Sequence, residues 1–161
     1  MNKLRVIFAL LILAGCAQTG APGDSTQTST DASLPLDAIQ KIADEFKNLR
    51  VVKGHFDGGE WNDDVDQWMG RKHQLMIQLG ERLGTGEYNQ SQVIQALSQP
   101  DVIARETDDL YKLVSDSAEF TGPITGFYEL LIYYWRGEHD FLYFTVQNGR
   151  ITTSGWWYAG E

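Results

Sequence analysis

The stretch that decides the fold runs from Tyr128 to Tyr158 and reads YELLIYYW (128–135), RGEHD (136–140), FLYFTVQ (141–147), NG (148–149) and RITTSGWWY (150–158). Aromatic and β-branched residues dominate it, as in β-strands. Asn148-Gly149 is the strongest short signal for a two-residue hairpin, because both turn positions need a positive φ. The sequence therefore predicts three consecutive antiparallel strands.

A two-residue turn fixes the register of the strands that it joins, and the loop at 136–140 is expected to do the same for the first hairpin. The predicted pairs are Gln147 with Arg150, Val146 with Ile151, Phe144 with Thr153, Leu142 with Gly155, Tyr134 with Leu142, Ile132 with Phe144, and Leu130 with Val146. Because side chains alternate along a strand, these pairs divide the residues between two faces.

One predicted face is aliphatic and is expected to meet the core: Leu130, Ile132, Tyr134, Leu142, Phe144, Val146 and Ile151. The other is rich in rings that carry a polar tip, which are favoured at recognition surfaces. With two residues of the neighbouring loop, it gives the candidate protein-binding residues: Tyr133, Trp135, Arg136, His139, Phe141, Tyr143, Trp156 and Tyr158. The alternative is that another helix covers this second face, since monomers seldom leave large apolar patches bare.

The first residues predict export. Residues 1–15 hold Lys3 and Arg5, then a short apolar run, and they end on Leu13-Ala14-Gly15 before Cys16, the single cysteine. This is the pattern of a signal peptide, too short to span a bilayer. The ending resembles the lipobox of bacterial lipoproteins, which implies cleavage before Cys16 and attachment of acyl chains there. Residues 16–34 are rich in Ser, Thr, Gly and Asp and predict a flexible tether. An ordinary secretory signal is the alternative.

Charge excludes one class of partner. Without residues 1–15 the chain keeps 11 of its 13 basic residues against 22 acidic ones, a net charge of −11. Nucleic-acid binding needs clustered Lys and Arg, so it is not expected. An anionic membrane surface would also repel the domain, so the lipid on Cys16 is expected to hold it there. By resemblance to lipoprotein sorting rules, the lack of Asp after Cys16 favours the outer membrane, with the domain facing the periplasm.

Residues 35–161 are expected to form a single α+β domain, with two to three helices packed on a small three- to four-stranded antiparallel sheet. Apolar residues at helical spacing predict a helix that starts near Pro35, a second over 66–83 and a third over 89–97. The second carries Trp68 in its apolar stripe, and Arg71-Lys72-His73 is interpreted as a solvated or acid-paired basic spot. Residues 101–105 are expected to form a first, short strand.

No motif predicts a cofactor, a metal or a catalytic centre. The acid-rich connection 51–66 fails the EF-hand test, because a loop started at Asn62 has Gln67 and His73 where Gly and Glu are required. The three histidines have no ligand-type spacing. The sequence has no G-x-S-x-G, H-E-x-x-H or P-loop, and acids are too common in it for an acid pair to indicate a hydrolase.

The segment 89–158 resembles the SmpA/OmlA (BamE) lipoproteins. The residues that carry the likeness are Ser91-Gln92-Val93, Ala96 to Asp101, Tyr133-Tyr134-Trp135, Leu142-Tyr143-Phe144 and Asn148-Gly149-Arg150. The order is also similar to one repeat of the β-lactamase-inhibitor-protein architecture, with two helices on an antiparallel sheet. Ser98 stands where the family prefers Gly, and residues 36–86 have no counterpart. The resemblance implies the fold more than the function.

These observations predict a lipid-anchored, non-enzymatic protein of the cell envelope that binds a protein partner through its aromatic strands, since Arg, Trp and Tyr are the usual hot-spot residues. An inhibitor- or ligand-binding lipoprotein that uses the same aromatic sheet face is the alternative. An exposed aromatic face further predicts that Tyr143→Ala leaves folding nearly intact.

Overall fold

The predicted hairpins form three strands of a four-stranded antiparallel sheet in the order β1-β2-β3-β4. The computed structural model describes residues 36–123, 126 and 128–160. Its strands are β1 (Val102–Ala104), β2 (Glu129–Arg136), β3 (Asp140–Gln147) and β4 (Arg150–Trp157). Its helices are α1 (Leu36–Arg50), α2 (Asp63–Asp66), α3 (Arg71–Leu83), α4 (Gln90–Leu97) and α5 (Asp109–Ser115), with a 3-10 turn at His55–Asp57. The α+β class and the short first strand are confirmed.

Local chemistry accounts for where the helices begin. Asn89 caps α4 through a capping box: its Oδ1 accepts a hydrogen bond from the Gln92 amide, and its own amide donates to the Gln92 side chain. The predicted helix over 66–83 is wrong in its first turn, because α2 ends at Asp66 and α3 begins only at Arg71. Between them Met69 takes a left-handed conformation with φ of 60°, a backbone state that a continuous helix cannot contain.

Helices α1, α3 and α4 cover one face of the sheet. α1 packs on α3 and α4, and α3 packs directly on β3 and β4. The buried residues of this layer are Ile39, Ala43, Phe46, Leu75, Met76, Leu79, Leu83, Val93, Leu97, Leu131, Tyr133, Trp135, Leu142, Phe144, Val146 and Ile151. α1 therefore docks chiefly on the two other helices and reaches the sheet through Phe46, whose ring meets Tyr133 edge-on.

The second face of the sheet is covered as well. α5 contributes Tyr111 and Val114 to a second buried cluster, which holds Leu130, Ile132, Phe141 and Tyr143 from the strands. Phe120 completes the cover, with its ring stacked 6.2 Å from that of Tyr143. The alternative of a covered aromatic face is thus the correct one, although the cover comes from α5 and the segment after it rather than from a long helix.

Two β-bulges make the predicted register wrong by one residue beyond each turn. The second hairpin begins as predicted with Gln147–Arg150 and Val146–Ile151, but an extra residue at Thr152 then sets Phe144 opposite Ser154. In the first hairpin, Arg136 faces Asp140, and a bulge at Trp135 sets Tyr134 opposite Phe141. Each bulge places two residues of one strand opposite one of its neighbour.

Because side chains alternate with period two, the bulge at Trp135 exchanges the faces of β2. Leu131, Tyr133 and Trp135 point to the three-helix layer, whereas Leu130 and Ile132 lie on the α5 side. The expectation that Leu130, Ile132 and Tyr134 share a face with Leu142 and Phe144 is therefore wrong. β3 itself keeps its predicted orientation.

The signal peptide, the lipidated Cys16 and the tether that the sequence predicts lie outside the described residues. Within residues 36–160 as far as they are described, every helix is too short or too polar to cross a bilayer.

Candidate functional site

One end of the sheet gathers the exposed aromatic side chains, where the β2–β3 turn, the end of β4 and the link between α2 and α3 meet. Trp61 is 55% exposed, Trp68 56% and Met69 47%, while Trp156 and Tyr158 are half-buried. We call these five residues the aromatic end. Large apolar side chains gathered in this way are typical of interaction surfaces rather than of solvated ones.

Contacts through the buried Trp135 and the partly buried Arg136 and Phe56 link the rings of the aromatic end. The contacts, by distance between ring or guanidinium centres, are Trp68 to Tyr158 at 5.2 Å, Trp68 to Trp135 at 5.7 Å, Arg136 to Trp135 at 4.5 Å, Arg136 to Phe56 at 4.8 Å, and Phe56 to Trp61 at 6.4 Å. Arg136 thus lies between two rings, and each contact has the cation–π geometry.

The link between α2 and α3 holds Trp68 and Met69 outward in one conformation. The Met69 amide donates to Nδ1 of His73 at 3.1 Å, and the Met69 carbonyl accepts from the Gln74 side chain at 2.6 Å. A side chain at Gly70 would place its Cβ 2.3 Å from the Asp63 carbonyl oxygen, so only glycine fits there. These contacts fix the link before any partner arrives, which lowers the entropic cost of binding.

His73 is the buried support of the aromatic end. Its ring is fully buried and lies parallel to Trp135, 4.1 Å away and tilted by 12°. Nδ1 accepts from a backbone amide, so the neutral ring carries its proton on Nε2 and donates it to the Tyr158 hydroxyl at 3.2 Å. Burial, helped by the nearby positive charge of Arg136, lowers the pKa of His73 to about 4. His73 is therefore neutral near pH 7 and orients its aromatic neighbours.

The end of β4 adds a flat stack and a shallow cavity. The rings of Trp156 and Tyr158 are parallel within 1° and 5.4 Å apart. Beside them opens a cavity of about 360 Å³. Its lining residues are Ile77, Gly80, Glu81, Ser154, Gly155, Trp156 and Tyr158. The aromatic end is thus continuous with a concave surface that can receive a side chain of a partner.

An ion pair ties the β2–β3 turn to the end of the chain. Arg136 Nε donates to Asp140 Oδ2 at 2.7 Å, and both side chains are largely shielded from solvent. The other oxygen of Asp140 accepts from the Ala159 amide at 3.0 Å. Burial strengthens such charge-assisted bonds and makes the loss of either partner costly. Asp140 therefore holds Tyr158 close to the turn.

The structure divides the candidate residues taken from the sequence. Trp135, Arg136, Trp156 and Tyr158 come together at the aromatic end, and His139 is exposed at the adjoining turn. The expectation of exposure is wrong for four of the residues, which are at most 2% exposed: Tyr133, Trp135, Phe141 and Tyr143. Phe141 and Tyr143 lie under the α5 layer, so the sheet face that the inhibitor- or ligand-binding alternative requires is covered as well.

Sequence reasoning missed the positions of two residues of this site, Trp68 and His73, and of Lys72, which precedes His73 in α3. The sequence pattern puts Trp68 in an apolar stripe and Lys72 and His73 in a solvated or acid-paired spot, yet Trp68 is exposed and the other two are buried. The signal that could have revealed this is Met69-Gly70. A glycine inside a helical pattern marks a possible helix end, and that shifts the buried face of the residues on either side.

One acid of the 51–66 connection, Asp66, supports the fold. Asp66 is fully buried and accepts hydrogen bonds from the amides of His55 at 3.0 Å and Asn62 at 2.8 Å. It thereby closes the loop that carries Trp61. Among the described residues, no three His, Cys, Asp or Glu side chains are grouped closely enough to hold a metal ion.

Comparisons with protein-family models, with curated proteins and with solved structures find no match to this chain. The likeness of residues 89–158 to the SmpA/OmlA lipoproteins stays a prediction, and the functional argument depends on the geometry of the site.

Proposed function

We propose that this protein is a lipid-anchored, non-enzymatic component of the bacterial cell envelope that binds a protein partner through its aromatic end. The observation that carries the proposal is the gathering of Trp61, Trp68 and Met69, each about half exposed, on a scaffold that holds them fixed. Trp and Tyr beside the partly buried Arg136 make up the residue set that contributes most to binding energy at protein interfaces.

The proposed location is supported by sequence features alone. A lipid on Cys16 and the tether over 16–34 would place the domain near the outer membrane while leaving the aromatic end free to face a neighbour. The acidic domain adds no attraction of its own to anionic lipid. Two or three acyl chains suffice for stable anchoring, since each buried methylene contributes about 0.8 kcal/mol.

Site-specific crosslinking in intact cells tests the binding surface. A photo-reactive residue is placed at Trp68, at Trp156 or, as a control, at Leu113, which is 44% exposed on α5 at the covered face of the sheet. We expect one envelope protein to be captured from Trp68 and Trp156 and not from Leu113. Once this protein is purified, Trp68→Ala should weaken its binding, while Leu113→Ala should leave the affinity unchanged.

Three results would refute the binding surface. Capture of the same protein from Leu113 would mean nonspecific contact, and capture of lipid alone from Trp68 would assign the aromatic end to the membrane interface. Undiminished affinity in Trp68→Ala, in a variant that keeps cooperative thermal unfolding, would place the interface elsewhere.

The anchor is tested separately. Cells fed an alkyne-bearing fatty acid should label the wild-type chain, whereas Cys16→Ser should be unlabelled and recovered in the soluble fraction. If Cys16→Ser stays with the membrane in the same amount, the lipid does not hold the protein there.

A further inference from the structure

A second concave site lies next to the aromatic end, at the junction of α1 with the β2–β3 turn. It is a cavity of about 340 Å³, within the size range of small-molecule sites. Its walls come from the end of α1, the connection that follows, the first turn of α3 and the β2–β3 turn. The residues that line it are Arg50, Val51, Val52, Lys53, Asp57, Lys72, Asp101, Tyr134, Trp135, Gly137 and Glu138.

Lys72 is the unusual member of this lining. Its side chain is 4% exposed, although lysines are almost never buried without a partner. None of the described residues forms a hydrogen bond or an ion pair with its ammonium group. Burial lowers the pKa of Lys72, and among the charges around it Asp57 gives the largest opposing, attractive effect, followed by Asp101. The three N–H donors of Lys72 are therefore left for water or for a ligand in the cavity.

The neighbouring charges are either already engaged or free at the rim. Arg50 donates to Asp101 at 2.7 Å and to the Leu97 carbonyl at 3.3 Å, so this pair is satisfied within the fold. Asp57 and Glu138 are exposed carboxylates at the edge of the cavity, and Lys53 is an exposed cation there. The cavity therefore offers a buried ammonium and, at its mouth, charged groups of both signs.

Such a mixed lining disfavours a ligand that carries only positive or only negative charge. A dianion such as phosphate would be attracted by Lys72 and Lys53 but repelled by the two rim carboxylates. A simple amine would be drawn to the rim and repelled by Lys72. Only a molecule that carries both charges satisfies both sets of groups, and Val51, Val52, Tyr134 and Trp135 supply apolar wall for its remainder.

We propose that this cavity binds a small zwitterion of the α-amino acid class, with its carboxylate on Lys72, its ammonium toward Asp57 or Glu138, and an apolar side chain against the walls formed by Val51 and Trp135. The site is separate from the protein-binding surface proposed above, and it shares with it only the buried ring of Trp135. The proposal for the cavity and the proposal for the protein-binding surface can each be correct without the other.

Three matched probes test the charge requirement: L-phenylalanine, 3-phenylpropionate, which lacks the ammonium group, and 2-phenylethylamine, which lacks the carboxylate. Each is titrated into the folded domain carrying lysine labelled with ¹³C at the ε position, and the Lys72 signal is followed by NMR. We expect a saturable shift of the Lys72 signal with L-phenylalanine, at least tenfold weaker binding of 3-phenylpropionate and no saturable effect of 2-phenylethylamine.

Variants separate binding from folding. Lys72→Met keeps the length of the side chain and removes its charge, so it should abolish binding while the thermal unfolding midpoint stays equal or rises, because an uncompensated buried charge is lost. Asp57→Asn, on the surface, should weaken the binding of L-phenylalanine severalfold. The same variant should bind 3-phenylpropionate as tightly as the wild type does, or more tightly. Lys112→Met, on α5, is the control and should bind as the wild type does.

The proposal is overturned if L-phenylalanine gives no saturable shift at Lys72, or if Lys72→Met binds it equally well. Binding of 3-phenylpropionate as tight as that of L-phenylalanine would assign the site to simple carboxylates instead and refute the zwitterion. A midpoint that falls sharply in Lys72→Met would show that Lys72 supports the fold, and the Asp57→Asn comparison would then decide the role of the rim.

Discussion

His73 should make the protein lose stability between neutral and mildly acidic pH. The ring is fully buried between Trp135 and the end of β4, and its pKa is lowered from 6.5 to about 4 by burial and by Arg136. Above pH 6.5 the imidazole is neutral in both the folded and the unfolded chain and contributes no pH dependence. As pH falls through 6.5, His73 binds a proton in the unfolded chain but stays neutral in the folded protein, so the free energy of unfolding decreases.

The magnitude follows from the two pKa values. The difference between a pKa of 6.5 and one of about 4 lowers the free energy of unfolding by about 3 kcal/mol at most. The loss is complete once the pH is below the pKa of the folded protein. Trp68, which contacts the ring, is more than half exposed, so solvent screens part of this effect, and we expect about 2 kcal/mol. A domain of this kind has a total stability of about 5–15 kcal/mol, so the loss is readily measured.

The assay is urea unfolding at a series of pH values from 7.5 to 4, followed by far-UV circular dichroism, for the wild type and for His73→Gln. Glutamine is uncharged over this range, so the variant starts less stable but should lose less stability on acidification. Carboxylates titrate equally in both proteins, and the difference between the two curves isolates His73. His139→Gln, which removes an exposed imidazole, controls for the loss of one ionisable ring.

Two results would refute this reasoning. If wild type and His73→Gln lose stability in parallel from pH 7 to 4, the ring is not kept neutral by the fold. The same conclusion would follow if the His73 ring protons, observed by NMR in the folded protein, titrate near pH 6.5. In that case Nδ1 of His73 does not accept the hydrogen bond from the Met69 amide that the structure shows. The aromatic end would then lack its proposed support.

The remaining predictions concern stability and are measured by urea or thermal unfolding. Tyr143→Ala should cost about 3–5 kcal/mol because the ring is 2% exposed beneath the α5 layer, whereas Tyr143→Phe should cost far less, and equal costs would contradict the packing. Gly70→Ala should cost about 1–3 kcal/mol, since its Cβ would lie 2.3 Å from the Asp63 carbonyl oxygen. Asn89→Ala removes the α4 cap and should cost about 1 kcal/mol, while a neutral result would show that the capping box is not formed in solution.

Features set by neighbouring residues could be predicted from the sequence. The Asn148-Gly149 turn, the first two residue pairs of its hairpin and the short first strand are all present. So is α4, which ends at Leu97 as its apolar spacing and Pro100 indicate. Each of these features depends on a backbone torsion, a helix cap or a spacing of apolar residues, and a few adjacent residues specify it.

The bulges at Trp135 and Thr152 could not be predicted, because both sheet faces are apolar. In a sheet with one solvated face, an alternating pattern would have shown which residues point inward. Here β2 reads Leu-Leu-Ile-Tyr-Tyr-Trp over residues 130–135, which is equally compatible with either face. The bulge at Trp135 brings its indole Nε1 within 2.8 Å of the Val65 carbonyl, a contact with a residue 70 positions earlier in the chain.

The aromatic end shows the same division. By itself the sequence determined which element types occur, their order and the abundance of Trp, Tyr and Phe, because local torsions and spacing fix these. Tertiary structure alone decided that Trp68 is exposed while Tyr143, Lys72 and His73 are buried. The physical reason is that the exposure of a side chain depends on which distant segments pack over it, and no periodicity within a strand or helix carries that information.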